Sequence, residues 1–468
     1  MNKINTLNAL TLLVTLAAAM ATTGCAAPAA PDAALPTAPA QWRYAPQDRA
    51  GADPVSTAWW QSIGNAELDA LVQRARVDNP GIAAAYARVQ QARASVIIAR
   101  APLLPALTGS ADAQHYGGSG GSSSDSTANL RLGLGLAASY EFDLWGGNRA
   151  AAGSAAASLR AAGFAQDAAT LSVTGEVALA WLQTVSLRER IGIATRMLEN
   201  ARSVLAVVDA RQRAGSATAL ELAQQRGLVA SRERTLRLLA QRANDSQVAL
   251  AILLGQSAGG LEVETASLAS LRQPAIDSGL PAALLTRRPD LAAAEARLAA
   301  ADGNIAVARA LMLPRLALTA NATAESDRLR TLFENPIYTL AAGVLAPIFN
   351  AGKLAAGHDL AIAQKQELLA EYRRAIVAAS GDVEVALNTM AGVDAQRVAQ
   401  DEELAQARQA FALAQRRYRA GAETLLTVLD TQRSLYSAED EAAQLRLASL
   451  QGAVLLYKAL GGGWQPDA

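Results

Sequence analysis

Few residues in this chain are of a type that does chemistry. In 468 residues there are one cysteine and two histidines. Cys25 closes Thr22-Thr23-Gly24-Cys25, which has the form of a bacterial lipobox, where the thiol after a small residue receives lipid. His115 borders a loop rich in glycine and serine and His358 lies far along the chain, so the two frame neither a metal site nor a triad. Gly117-Gly118-Ser119-Gly120-Gly121 is not followed by the Lys-Ser or Lys-Thr of a phosphate loop. The paired acids Glu402-Glu403 and Asp440-Glu441 fall on helical surfaces and read as solvated faces. The expectation is a chain that is not an enzyme, with no cofactor beyond a covalent lipid on Cys25.

The start of the chain says where it goes. Lys3 precedes an apolar run from Leu7 to Ala21, too short to span a bilayer and shaped like a secretory signal. Residues 1–24 are therefore expected to leave, making Cys25 the first mature residue. Six of the 16 prolines fall between Pro28 and Pro54, so 25–57 reads as an extended tether behind the anchor. With one cysteine no internal disulfide is possible. Formal charge is zero, 42 basic against 42 acidic residues, which offers no basic field to nucleic acid.

Long elements must position whatever this chain does. Leu404, Ala407, Phe411, Ala414 and Tyr418 lie three and four apart, a heptad seam alternating large with small side chains. It stops at Arg419-Ala420-Gly421-Ala422, where glycine suits a helix C-cap, and a return helix runs from Thr424 through Leu447, Leu450, Val454 and Tyr457 to Gly461-Gly462-Gly463. A copy lies 206 residues earlier. Leu198, Ala201, Leu205 and Val208 form its seam, Arg213-Ala214-Gly215-Ser216 its turn, and Leu254-Gly255 matches Leu460-Gly461. The hairpin is duplicated, and the helix predicted from Ala150 to Arg213 contains no proline.

Between the helices the period changes to two. Leu107, Gly109, Ala111 and Ala113 alternate with Thr108, Ser110, Asp112 and Gln114; after the loop, Leu130, Leu132, Leu134, Leu136, Ala138, Tyr140 and Phe142 share one face. The second half repeats this. Pro289 to Arg297 matches Pro80 to Arg88 at an offset of 209, Leu316, Leu318, Ala320 and Ala322 form a third apolar stripe, and Tyr338, Leu340, Ala342, Val344, Ala346 and Ile348 a fourth. Gly352 falls opposite Gly147, which would make the second hairpin four residues shorter.

The division expected after the signal and tether is a first half of equatorial and short helices (58–100), a β-hairpin (101–144) and a long helical hairpin (145–258). An equatorial linker (259–280) leads to the second half: a helix (281–313), a β-hairpin (314–350), a long helical hairpin (351–463) and a tail (464–468). Strands of this length cross a bilayer at a tilt. Four cannot close a barrel, and an open edge in lipid leaves backbone groups unpaired. Two copies would supply eight strands, three copies twelve.

These residues also resemble a known family, the outer-membrane factors or TolC-like trimeric export ducts, in the lipid-anchored branch that serves resistance-nodulation-division pumps. The resemblance rests on Trp59-Trp60 with Leu68 and Leu71, Asn79-Pro80, Ala87 to Ala94, Tyr140 to Gly146, Arg287-Arg288-Pro289-Asp290 and Leu456 to Trp464. It implies a homotrimer with a twelve-stranded barrel in the outer membrane, a coiled-coil helical barrel in the periplasm and an equatorial belt. Partners implied are a periplasmic adaptor and an inner-membrane efflux pump, with this chain as a passive exit duct for drugs or other small solutes. Adaptor docking is implied for Arg213, Ala214, Gly215, Ser216, Arg419, Ala420, Gly421 and Ala422. Leu426 and Asp430 are implied to ring a periplasmic gate; the first copy has Leu220 and Gln224 there, so only the second carries the acid. An exit duct for ATP-driven protein secretion, or a periplasmic coiled-coil scaffold without a barrel, remain alternatives at this point.

Overall fold

A computed structural model describes residues 39–44, 55–116 and 129–465. Cys25 and the tip of the first β-hairpin lie outside them. Among the described residues the first half runs α1 (Ala66–Asp78), α2 (Pro80–Arg100), β1 (Ala106–Tyr116), β2 (Asn129–Phe142), α3 (Gly147–Arg213) and α4 (Ala219–Leu253). The second half runs α5 (Pro289–Ala310), β3 (Arg315–Ser326), β4 (Ile337–Leu345), α6 (Lys353–Arg419) and α7 (Leu425–Ala459).

The duplication is carried into length. α3 and α6 have 67 residues each, α4 and α7 have 35 each. At about 1.5 Å per residue the longer pair each span roughly 100 Å. Both open from a glycine in the left-handed region, Gly146 (φ 74°) and Gly352 (φ 80°). The partner of Gly352 is thus Gly146, not Gly147, and the offset of 206 already holds there. The second β-hairpin is three residues shorter than the first, not four.

The strands form one antiparallel sheet in the order β1-β2-β3-β4. Leu107 pairs with Ala138, Leu136 with Ala322 and Leu318 with Ala342, so the stripes read from sequence lie side by side on one face. Among the described residues the outer strand is left open: every residue of β4 is exposed, Leu340 at 76%. β4 ends at Leu345, short of the stripe read through Ile348, because Pro347 has no N–H to give the ladder.

The main core sits at the equator. Trp59, Trp60, Leu68 and Val72 of the N-terminal segment pack with Val177, Trp181 and Val185 of α3, Ile376 and Val383 of α6, and Val454 and Tyr457 of α7. Asn79 joins elements at both ends. Its Oδ1 accepts from the Gly81 and Ile82 amides as the cap of α2, while Nδ2 donates to the Leu253 carbonyl at 2.7 Å. At the end of α7 a Cβ on Gly461, which has φ 88°, would run into the Arg287 carbonyl. Glycine is required where that segment passes Arg287.

Glu67 is the polar hub of this core. Its carboxylate accepts from Trp181 Nε1 at 3.0 Å, from the Glu264 amide at 2.6 Å, and from the Thr265 amide and hydroxyl at 3.2 and 2.7 Å. Partial burial works against the charge, but the bonds from Thr265, Glu264 and Trp181 outweigh it and hold the carboxyl below its ordinary value. A lowered folded-state pKa gives stability that is present above the unfolded pKa and lost as pH falls through the folded one. Glu67→Gln is therefore expected to lower the melting temperature at neutral pH and to flatten its decline between about pH 5 and pH 3. Thermal melts across that range check it; parallel curves for the two proteins would count against the hub.

Candidate functional site at the hairpin tips

The ends of the two long helical hairpins are built alike. After α3, the Gly215 amide bonds the Gln212 carbonyl at 3.0 Å and the Ser216 amide the Arg211 carbonyl at 2.8 Å. After α6, the Gly421 amide bonds Tyr418 at 3.0 Å and the Ala422 amide bonds Arg417 at 2.9 Å. Each is a Schellman cap, whose C′ residue takes positive φ, 74° at Gly215 and 76° at Gly421. Arg213, Ala214, Gly215 and Ser216 are exposed, as are Arg419, Ala420, Gly421 and Ala422. Sequence spacing located all eight, and the structure brings the two turns to one level. Arg211, four residues before Gly215, donates to the Tyr418 carbonyl at 3.2 Å, and its guanidinium lies over the Tyr418 ring at 4.8 Å.

The return helices start differently. Thr218 and Glu221 form a reciprocal capping box at the head of α4. α7 has Thr424 as its N-cap, with Thr427 where the first copy has Glu221, and Glu423 supplies the carboxylate, which accepts from the Thr424 amide and the Thr427 hydroxyl, both at 3.1 Å. Those bonds hold the Glu423 carboxyl below its ordinary value.

Leu426 and Asp430 stand one turn apart on α7, both exposed, Leu426 at 70%. A large apolar side chain in that position, on a helix whose Leu425 and Val428 are buried, faces away from the chain's own core. Among the described residues Asp430 has no ion-pair partner. Arg416, on the preceding helix, donates to the Ala412 carbonyl at 3.2 Å.

Higher on the hairpins lies a cluster that sequence spacing missed. Asp440, read as solvated, is only 16% exposed and takes a two-pronged bond from Arg190, at 2.7 and 2.9 Å. Gln444 donates to it at 2.8 Å, and Arg446 reaches Glu189 at 2.5 Å. Arg232 of α4 lies 4.2 Å over the Tyr436 ring. These pairs join α3, α4 and α7, and the partners stand 250 and 257 residues apart in the case of Arg190 and Glu189. Periodicity along one helix carries no signal for them.

An uncovered sheet with an apolar stripe, set on paired helices about 100 Å long, defines a subunit of a membrane channel with a long helical extension. The comparisons give the family. The model of the outer membrane efflux protein family matches residues 71–256 and again 280–462, once per repeat. The chain is 49% identical over 451 residues to the pyoverdine export outer membrane protein OpmQ of Pseudomonas putida, covering 95% of this chain and 96% of that one. It is 33% identical to the solvent efflux pump outer membrane protein SrpC of Pseudomonas putida, over 84% of this chain and 85% of that one. Its fold matches the outer-membrane channel OprN with a TM-score of 0.82 at 28% identity, over 94% of this chain and all of that one. The chain belongs to the outer membrane efflux protein family and is an outer-membrane component of an efflux system.

Proposed function

We propose that three copies of this chain form the passive exit duct of a tripartite efflux pump, conducting small solutes from the periplasm to the exterior. One observation carries the reading: among the described residues the apolar face of β4 is exposed along its whole length and the two outer strands of the sheet have a neighbour on one side only. In lipid such a sheet must be closed by further copies, since each unpaired backbone group costs several kcal/mol. Twelve strands enclose a lumen and eight are filled by side chains, which favours three copies for a duct. A periplasmic adaptor and an inner-membrane pump supply the drive, and the chain itself catalyses nothing. Cargo enters a wide lumen rather than a fitted pocket, so the pyoverdine exported by the 49% identical relative is the first cargo to test.

Cys25 carries the lipid in this reading. A single acyl chain binds membranes weakly, so the anchor adds affinity to an already inserted barrel. The adaptor docks at the tips, where Ala214 and Ala420 leave room for close approach beside the turn glycines. Three copies of Leu426 form an apolar constriction that gates by dewetting, and three copies of Asp430 an anionic ring that selects cations. Three nearby carboxylates repel, and Arg433 or Arg416 of a neighbouring copy would offset that in the closed state.

Three outcomes are expected. In Pseudomonas putida lacking its own OpmQ, the wild-type chain restores pyoverdine secretion, whereas Ala214→Trp with Ala420→Trp lowers it severalfold at unchanged trimer abundance; equal secretion would remove the docking role. Cys25→Ser loses lipid labelling but keeps part of the export, and intact-mass analysis finding an unmodified Cys25 at the mature terminus would refute the anchor. Leu426→Ala with Asp430→Ala raises single-channel conductance, weakens cation selectivity and sensitises cells to large antibiotics such as vancomycin. Wild-type conductance and selectivity in that double variant would rule out the gate.

A further inference from the structure

The return helix of the second hairpin buries a side chain that has nothing to bond. On α7 Leu425, Val428, Gln432 and Leu435 lie three and four apart and form one buried stripe. Val428 and Leu435 pack in one apolar cluster with Ala407, Phe411 and Ala414 of α6 and with Val204 and Val208 of α3. Gln432 stands between them on that stripe with none of its surface exposed, and neither its amide oxygen nor its amide nitrogen has a hydrogen-bond partner. We infer that Gln432 is a conformational device: its unmet amide keeps the lower seam of the second hairpin, from the tip up to Tyr436, poised to part. This rests on the duct reading above and concerns what makes the tip able to open.

Three observations support it. The first is that a buried amide can be satisfied in this setting. Gln225 of α4 donates to the Ala201 carbonyl at 2.7 Å, and Gln400 of α6 donates to the Ala438 carbonyl of α7 at 2.9 Å. Gln432, on the same hairpin as Gln400, makes no such bond.

The second is the repeat. The residue 206 positions earlier is Arg226, which is exposed and reaches Asp209 at 3.8 Å. The buried amide is therefore no demand of the duplicated fold. It is confined to the hairpin that carries Leu426 and Asp430.

The third is the next turn of the helix. Tyr436 receives the guanidinium of Arg232 over its ring at 4.2 Å. Arg232 is only 9% exposed, its Nε is covered without a partner, and among the described residues it has no ion-pair partner. Unmet polar groups thus occupy the single turn from Gln432 to Tyr436. Directly above it the bonds are made, Gln400 to Ala438 and Arg190 to Asp440; below it the stripe is apolar. A separation that starts at the tip comes to rest at that level.

The physical ground is an asymmetry between the two states. A covered donor or acceptor without a partner destabilises the packing that covers it, whereas a parted seam gives both amide atoms water. The closed packing is thereby raised toward the parted one. Strain of this kind persists where the surrounding structure holds it in place, and here the apolar residues on either side do so.

The test is Gln432→Met, which keeps an unbranched side chain of similar size and removes both polar atoms. Hydrogen exchange is followed by mass spectrometry on the full chain, purified in mild detergent. The amides of 425–436 are expected to exchange about fivefold or more slowly than in the wild type while those of 444–457 keep their rates, and secretion in the complemented strain is expected to fall at unchanged abundance. Unchanged or faster exchange would overturn the device, because the amide would then be neutral or favourable in the closed seam. Slowing spread evenly over α7 would reduce it to a gain in packing, and local slowing with full secretion would show that parting of the seam does not limit passage; either overturns it. A wild-type chain that restores no secretion would overturn the duct reading itself, whatever the exchange shows.

Discussion

A β-strand in hydrocarbon has to give every amide and carbonyl a partner, because no water is there to take the place of one. In this chain β2 and β3 meet the condition on both sides, while β1 and β4 meet it on one. The apolar stripe has the same character: Leu107, Leu136, Leu318 and Leu340 are exposed, which is costly in water and favourable in lipid. A sheet of this kind is one sector of a closed surface. Everything below it follows, since each strand pair is joined to a long helical hairpin, and copies that close the barrel also bring their hairpins into a ring.

The helical part adapts to that ring by using one design twice. Equal lengths of 67 and 35 residues, the same Schellman turns and the same ion pair, Arg202 with Glu233 and Arg408 with Glu439, make each hairpin a near substitute for the other. The copies nonetheless differ at particular charged and capping positions. Asp430 stands against Gln224, Asp440 against Arg234, and Glu423 with Thr427 against the capping box of Thr218 with Glu221. A duplicated chain that kept its copies identical would offer the same surface at both hairpins, with nothing to set one apart from the other.

Much of this is written in local sequence, and what is written there has a short range. Heptad spacing at Ala407, Phe411, Ala414 and Tyr418 marks a seam that is buried, and alternation from Leu130 to Phe142 marks a strand that is present. Where one residue overrides a pattern the reading slips: Pro347 ends β4 before Ile348, and Gly146 starts α3 one residue ahead of the glycine matched to Gly352. Contacts between distant elements leave no periodic trace. Glu67 with Trp181 joins residues 114 apart, and Arg190 with Asp440 joins residues 250 apart, so the hub of the equator and the buried charges of the hairpins became visible only in three dimensions.

The distribution of packing along the helices sets where the molecule can move. At the equator α3, α6 and α7 share a core with Trp59, Trp60 and Leu68, closed by the Glu67 hub and by Gly461 against Arg287. Below it the apolar cluster narrows to the seams of the hairpins themselves, and at the tips every turn residue from Arg213 to Ser216 and from Arg419 to Ala422 is exposed. Local opening free energy follows buried contact, so the tips can shift while the equator holds. No proline breaks α3 or α6, so neither helix has a proline hinge between the sheet and the tips. A displacement of the tips that left both helices straight would slide or tilt one hairpin against the other. The polar pairs that cross between hairpins, Arg190 with Asp440 and Arg446 with Glu189, span that surface and would oppose such a slide.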